Sequence, residues 1–561
     1  MNIVEENREI FKDALYDCRR AFIYAFIFSF FINLMMLAMP IYSLQVLDRV
    51  LSSFSIETLI MLSLLVIGIL VVMTGLQIIR SFIFAGIGMW LEKKLQPLLI
   101  ERTIDNSIYN NQIGSQYLRD LNTIKSFIAN PALTMLFDSP WSVIYFLVIF
   151  LIHPINGFIV VFGAVILFFM AYINEKLANE KLKKINDREI DFLNKVGSLT
   201  HNAESLIAMG MKQDIIAKFT KINEENTKIS YKIKGISFLL GNSTKLIRMI
   251  IQVATMFAGA ILVINNKMSA GGIIATSILS GKALAPFDAL VNIWGQLINA
   301  KTAYSRINNS LKDLTIETEK TELPEPQGKV NIEKLTYKLP HGKQIIKGIN
   351  IAVVPGEIIA IIGESGSGKT TLAKLLVGIL PATSGKVTID GVKIADYNRY
   401  FLGKFIGYLP QHVEFIHGTV RENIARMNKK IDDKKVVSAA LLSDVHQLIS
   451  DLEKGYNTRL ETGGKNLSSG QKQRIALARC FYGNPKIMVL DEPNANLDSK
   501  GESSLTLSLQ NAKKAGITVF VISHRKSLLN VTDKILVLHE GQAKLFGDTK
   551  QILKKLYEHK K

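Results

Sequence analysis

Two uncharged apolar stretches near the start of the chain, Phe22 to Leu44 and Leu59 to Ile79, constrain the fold more than any other feature. Each is long enough to cross the hydrocarbon core of a bilayer as a helix, the one open-ended structure that satisfies its own backbone there. The first contains Pro40, and a short loop with Asp48, Arg49 and Glu57 separates the two. Trp141 to Asn174 also lacks charge but is too long for one span, and the turn signal HPING, His153 to Gly157, divides it into a helical hairpin. The first arm of that hairpin begins near Pro131, which places Asp138 near a membrane boundary. Ile247 to Ile264 reads as a fifth span and Gly272 to Leu297 as a sixth, the latter carrying Lys282 and Asp288. Six spans return the chain to its starting side.

At 561 residues the chain exceeds one core, and its apolar excess lies almost entirely before Leu297. The reading divides it into a cytoplasmic N-terminal segment (1–20), a transmembrane domain (21–310), a Pro-containing polar linker (311–328, with Pro324 and Pro326) and a nucleotide-binding domain (329–561). The formal charge of +19 does not indicate nucleic acid, because many basic residues flank the apolar runs, where they set topology and meet anionic lipid. The segment Asn174 to Thr244 holds twelve Lys or Arg, among them Lys181, Lys183, Lys184, Lys232 and Lys234, whereas the opposite loops offer little beyond Arg49 and Lys267. Positive charge marks the former as cytoplasmic and puts the C-terminal half on the same side. The first span is too long for a cleavable signal, and Pro40 to Val50 lacks a small-residue cleavage pattern, so it reads as a permanent anchor. Cys18 and Cys480 read as reduced thiols. Arg248, Lys282 and Asp288 are costly in hydrocarbon and either line a translocation path or pair internally; Gln252 and Asn292 are weaker signals of the same kind. Arg80 to Ala129 and Glu175 to Thr244 carry helical periodicity with charged faces, either solvated helix or levers whose short elements, Leu121 to Phe127 and Ala203 to Gly210, dock on a nucleotide domain.

The C-terminal half carries the chemistry. Gly363 to Thr370, GESGSGKT, lies between a strand-like run (Ile358 to Ile362) and a helix-like one beginning at Thr371. This is the context in which Gly363, Glu364, Ser365, Gly366, Ser367 and Gly368 wrap backbone N–H groups around a triphosphate, Lys369 reaches its terminal phosphates and Thr370, followed by Thr371, offers a hydroxyl to Mg²⁺. Ile487 to Leu490 is an apolar strand ending in Asp491 and Glu492, where a metal-orienting carboxylate and a water-activating one are needed. In order along the chain come Gln411 after Phe405 to Pro410, LSSGQ from Leu467 to Gln471, Asp498 after NANL, and His524 after the apolar run Thr518 to Ser523.

This ordered set resembles the ATP-binding cassette (ABC) family over the whole nucleotide half. The resemblance implies an α/β P-loop ATPase domain joined to an α-helical six-span transmembrane domain of the type I ABC exporter fold, using ATP and Mg²⁺. It implies catalytic roles for Glu492 (polarising water), His524 (sensing the γ-phosphate) and Gln411 (linking the site to the membrane half). Thr370, Asp491 and Gln411 would surround the metal. Ser468, Ser469, Gly470 and Gln471, with Asp498, would close on ATP held by the P-loop of a second cassette, so a homodimer with twelve spans follows. Three positions depart from the family pattern: Ser469 stands where Gly is usual, Leu339 replaces the adenine-stacking aromatic, leaving Tyr337 as the nearest ring, and Thr462 stands where exporters often carry Glu.

The membrane half narrows the cargo. Asn33 to Leu51 (NLMMLAMPIYSLQVLDRVL), Phe137 to Pro154 (FDSPWSVIYFLVIFLIHP) and Ile273 to Trp294 (IIATSILSGKALAPFDALVNIW) resemble type I secretion ATPases of the protease-exporter (PrtD) type. That resemblance implies export of an unfolded polypeptide with an uncleaved C-terminal signal across the inner membrane, to a periplasmic membrane-fusion adaptor and an outer-membrane channel. Residues 1–20 leave no room for the cytosolic peptidase-like domain of some such exporters, so cargo is recognised directly. A lipid or drug flippase shares the architecture; an ATP-gated channel or regulatory subunit is disfavoured by an intact Glu492 and His524.

Overall fold

A computed structural model describes residues 13–14, 16–109, 116–312, 323–339, 342–523 and 525–558. His524, Pro340, residues 1–12 and most of the 311–328 segment thus lie outside the described residues, as do the side chains of Asn292 and Thr462. The chain forms two compact units, Met1–Ile316 and Glu317–Lys561.

The first unit is entirely helical among the described residues, with six helices long and apolar enough to cross a membrane: Arg19–Ser53, Ile56–Ile108, Leu133–Ile152, Pro154–Asn174, Lys212–Ile264 and Ala270–Leu290. The sequence reading of six spans matches these in number and order. Their lengths differ from it, because the charged segments prolong the apolar helices without a break. The helix Ile56–Tyr109 has 54 residues, about 80 Å at 1.5 Å per residue, well beyond a hydrocarbon core of about 30 Å. Pro154–His201 and Lys212–Ile264, of 48 and 53 residues, behave alike. No proline lies in 80–92 or in 175–187, and the second helix runs on through Pro97, so one rod carries both an apolar and a charged segment.

The first span is the irregular one. Arg19–Met35 ends one residue before a turn, Ala38–Gln45 restarts with Pro40 in its first turn, and Val46–Val50 is wound as a π-helix. That extra residue per turn is a local cost that side-chain placement offsets. Asp48 Oδ1 accepts the Gly271 N–H at 2.8 Å, satisfying an unpaired amide at the start of the sixth helix. A Cβ on Gly271 would lie 2.8 Å from the Leu44 carbonyl oxygen, so only glycine permits this approach.

Apolar packing forms two cores in this unit. Tyr145, Ile149, Val160, Leu167, Ile251, Leu279 and Leu284 unite spans three to six, while Phe84, Leu91, Leu95, Leu99, Leu121, Ile124 and Ile307 bind the prolonged second helix to Gln116–Ile128 and the end of Ala270–Lys312. Several buried polar groups are paired across the spans. Arg80 Nη1 donates to Asp138 Oδ1 and to Ser29 Oγ, both at 2.6 Å, Asn33 Nδ2 donates to Asp138 Oδ1 at 3.0 Å, and the Tyr145 hydroxyl donates to Asn33 Oδ1 at 2.7 Å. Asp138 is therefore tied into a network across three spans. Arg248 pairs with Asp288 at 3.1 Å, which is the internal ion pair rather than two free charges on a path. Farther along, Arg306 grips Asp120 with Nε and Nη2 at 2.8 and 2.7 Å, and this bidentate contact, opposed by burial, holds its pKa above the ordinary value.

The second unit is an α/β domain. With strands numbered in chain order, β1 (Val330–Lys338), β2 (Gln344–Val353), β4 (Ser384–Ile389) and β5 (Val392–Lys393) form an antiparallel sheet of order β2-β1-β4-β5. β3 (Ile358–Gly363), β6 (Ile406–Leu409), β9 (Ile487–Asp491), β10 (Thr518–Ile522), β11 (Lys534–His539) and β12 (Gln542–Asp548) form a second sheet of order β12-β11-β3-β10-β9-β6, and β7 (Gly418–Thr419) pairs with β8 (Arg459–Leu460). All pairs of the second sheet are parallel except β11 with β12. Its middle strands are apolar apart from Thr518 and Asp491 because both faces are covered: Val519 and Val521 enter one core, Phe520 and Ile522 the other, and Met488 and Leu490 alternate likewise with Ile487 and Val489. In such a sheet, polar loops gather beyond the C-terminal strand ends, where ligands bind.

Candidate active site

β3 leads into the glycine-rich loop and the helix Lys369–Leu376. Gly368 caps that helix with φ 98°, and a Cβ there would sit 2.9 Å from Ile346 Cδ1. At Gly363 a Cβ would lie 2.3 Å from the Leu538 carbonyl oxygen. Glycine is needed at both for the loop to fold closely against its neighbours, leaving the first-turn amides of the helix for an anion. Lys369 Nζ folds back over the loop, donating to the Gly363 and Glu364 carbonyls at 2.7 and 2.8 Å. Burial pushes its pKa down, with Glu492 and Asp491 pulling it back up.

Asp491 ends β9 and is fully buried. Neither carboxylate oxygen reaches hydrogen-bond geometry with a described residue, although the Thr370 hydroxyl is near enough to pull the pKa down. Burial dominates and pushes it up. The Ser367 hydroxyl is likewise buried without a partner. An orphaned carboxylate beside a threonine hydroxyl fits Mg²⁺, which takes one or two protein oxygens and completes its octahedron with phosphate and water. No cluster of three His, Cys, Asp or Glu residues is present among the described residues, so a dedicated all-protein metal cage is not formed there.

Glu492 follows with φ 49°, a left-handed conformation that costs a residue with a side chain about 1–3 kcal/mol and persists only where the surroundings hold it. Its N–H donates to the Ile522 carbonyl at 3.1 Å, and its Oε2 accepts from Gln411 Nε2 at 3.2 Å. Gln411, just past β6, is exposed. The structure thus gathers the P-loop, Lys369, Thr370, Asp491, Glu492 and Gln411 at one edge of the sheet.

The signature residues lie on a different element. Ser468 caps the helix Ser469–Phe481: its Oγ accepts the Gln471 N–H at 3.2 Å while Gln471 Oε1 accepts the Ser468 N–H at 2.9 Å. Ser468 and Ser469 are exposed, and a Cβ on Gly470 would come 3.1 Å from the Asn496 carbonyl oxygen. Asp498 caps the helix Ser499–Lys514 by accepting the Gly501 N–H at 2.7 Å. Tyr337, in β1, is half-buried against the core, and Leu339 is partly exposed. Three residues were not foreseen: Gln473, which donates to the Glu492 carbonyl at 3.3 Å, and Asn494 and Ser523, whose 2.9 Å hydrogen bond fastens the loop after β10 to the segment after Glu492. A polar residue facing inward on an otherwise apolar helix face was the available signal for Gln473.

The ABC transporter family matches residues 346–495, and the ABC transporter transmembrane region matches residues 22–285. The type I secretion system ATP-binding protein PrsD of Rhizobium meliloti (strain 1021) is 35% identical over 545 residues, 96% of this chain and 93% of that protein. This chain is an ABC transporter of the type I secretion group. The toxin RTX-I translocation ATP-binding protein of Actinobacillus pleuropneumoniae is 28% identical, over 97% of this transporter and 78% of the relative, and the leukotoxin translocation ATP-binding protein LktB of Mannheimia haemolytica is 29% identical over 95% and 76%. The fold of the transporter is that of an ABC exporter: a bacterial Atm1-family exporter with ATP bound superposes with a TM-score of 0.84 over 96% of both chains at 20% identity. The transporter is a multi-pass membrane protein whose cassette uses ATP and couples its hydrolysis to transport.

Proposed function

We propose that this transporter is the ATPase of a type I secretion system, exporting unfolded polypeptides that carry an uncleaved C-terminal signal. The observation that carries this reading is the 35% identity to PrsD over an alignment that spans the membrane unit as well as the cassette. Identity confined to the cassette would support ATP use and say nothing of cargo. The membrane is the inner membrane, the cassette lies in the cytoplasm, and the working unit is a homodimer that passes cargo to a periplasmic adaptor and an outer-membrane channel.

In this reading the P-loop amides and Lys369 hold the β- and γ-phosphates of ATP. Thr370 and Asp491, with Gln411 nearby, would hold Mg²⁺, which when bound neutralises phosphate charge. Glu492 orients and polarises the attacking water, and His524 contacts the γ-phosphate. Tyr337 stacks on adenine. Ser468, Ser469, Gly470 and Gln471 with Asp498 complete the site of the partner cassette, a reading supported by the exposure of Ser468 and Ser469.

Steady-state ATPase activity of the purified protein in lipid, titrated with a C-terminal fragment of a repeat-containing secreted protein and separately with amphiphiles, tests the reading. A saturable response to the fragment alone is expected. A response to amphiphiles alone would replace protein export by lipid or drug movement.

A further inference from the structure

We propose that Gln473 is the positioning residue for Glu492, fixing the backbone from which the water-activating carboxylate projects. The inference rests on the reading of Glu492 as that group and adds what holds it in place. Four observations converge. First, Glu492 stands at φ 49°, so its conformation must be imposed by contacts. Second, Pro493 follows it, and a peptide whose nitrogen bears no hydrogen can be anchored only through its carbonyl. Third, the donors to that carbonyl are the Ala495 N–H at 3.0 Å, which is local and moves with the same loop, and Gln473 Nε2 at 3.3 Å, which comes from another element. Fourth, Gln473 is only 4% exposed, among Ile475, Ala476 and Leu477 on a helix whose inner face is otherwise apolar. A methionine would fill the same space without a buried amide to satisfy, so the polar group is explained by what it holds.

The consequence is geometric. Turning the 492–493 peptide swings the Glu492 side chain relative to Gln411, whose Nε2 meets Oε2 at 3.2 Å. Gln473 controls that rotation without touching nucleotide. It therefore bears on turnover and leaves ATP binding alone.

Full-length protein in lipid is assayed as Gln473→Glu, which keeps the shape and replaces the donor by an acceptor, and as Gln473→Met, which keeps the volume. Both are expected to lower kcat by about tenfold or more while KM for ATP stays within about twofold, the pattern of an interaction made only on the way to the transition state. The double variant Gln473→Glu with Glu492→Gln is expected to hydrolyse ATP at the rate of Glu492→Gln alone, because a residue that acts through another adds nothing once that other is gone. Wild-type kcat in Gln473→Glu overturns the proposal, and so does a loss that multiplies in the Glu492→Gln background or a parallel change in KM. Full activity of Glu492→Gln by itself would instead refute the role given to Glu492, a failure visible before any Gln473 variant is made.

Discussion

Asp491 concentrates the physics of the site in one side chain. A carboxylate buried without a hydrogen-bond partner among the described residues is a net cost to the fold, which in the proposed site a cation and phosphate sharing the space would offset. Asp491→Asn removes the charge and keeps the shape. Measured without nucleotide and with metal chelated, the variant is expected to melt at a higher apparent temperature than the wild type, while its hydrolysis falls at least about a hundredfold. A lower melting temperature would mean that the carboxylate has a structural partner and is not reserved for a cation. Asp491, Glu492 and Lys369, which the structure brings together, were singled out in the sequence because phosphate and metal chemistry calls for those residue types at fixed offsets. Gln473 could not, since its meaning depends on a helix packing against a loop nineteen residues away. Asp498 and Ser468, expected from the resemblance to contact nucleotide, are seen in the structure as helix caps, a use that a side-chain oxygen serves where a helix begins.

Among the elements, the membrane helices were legible in number because bilayer thickness sets a minimum apolar length, and illegible in extent because no physical rule requires a helix to stop where the bilayer does. The network of Ser29, Asn33, Arg80, Asp138 and Tyr145 was hidden for another reason: the residues lie on three spans, and only their packing brings them together. Its energetics are those of a buried ion pair, worth little against an apolar replacement and costly when half of it is removed. Asp138→Leu alone, which strands the Arg80 guanidinium, is expected to destabilise the membrane unit by about 3–5 kcal/mol. Adding Arg80→Met to it should restore most of that loss, read as the apparent melting temperature in detergent. If the two substitutions are simply additive, the pair stabilises each helix separately and does not join them.

For the molecule as a whole, two units of opposite character share one chain, and the distribution of charge predicts the orientation of the spans. Twelve basic residues between Asn174 and Thr244 against Lys267 in the turn after the fifth span give an asymmetry strong enough to orient the spans. Both native cysteines, Cys18 and Cys480, are buried and free, so single introduced thiols report position with little background. Lys267 and Lys218 are exposed and lie at opposite ends of the helix Lys212–Ile264 or just beyond it. A membrane-impermeant maleimide applied from the periplasmic side is expected to label Lys267→Cys in intact spheroplasts and to label Lys218→Cys only after the membrane is opened. Labelling of Lys218→Cys in sealed spheroplasts would invert the topology and place the P-loop where there is no ATP.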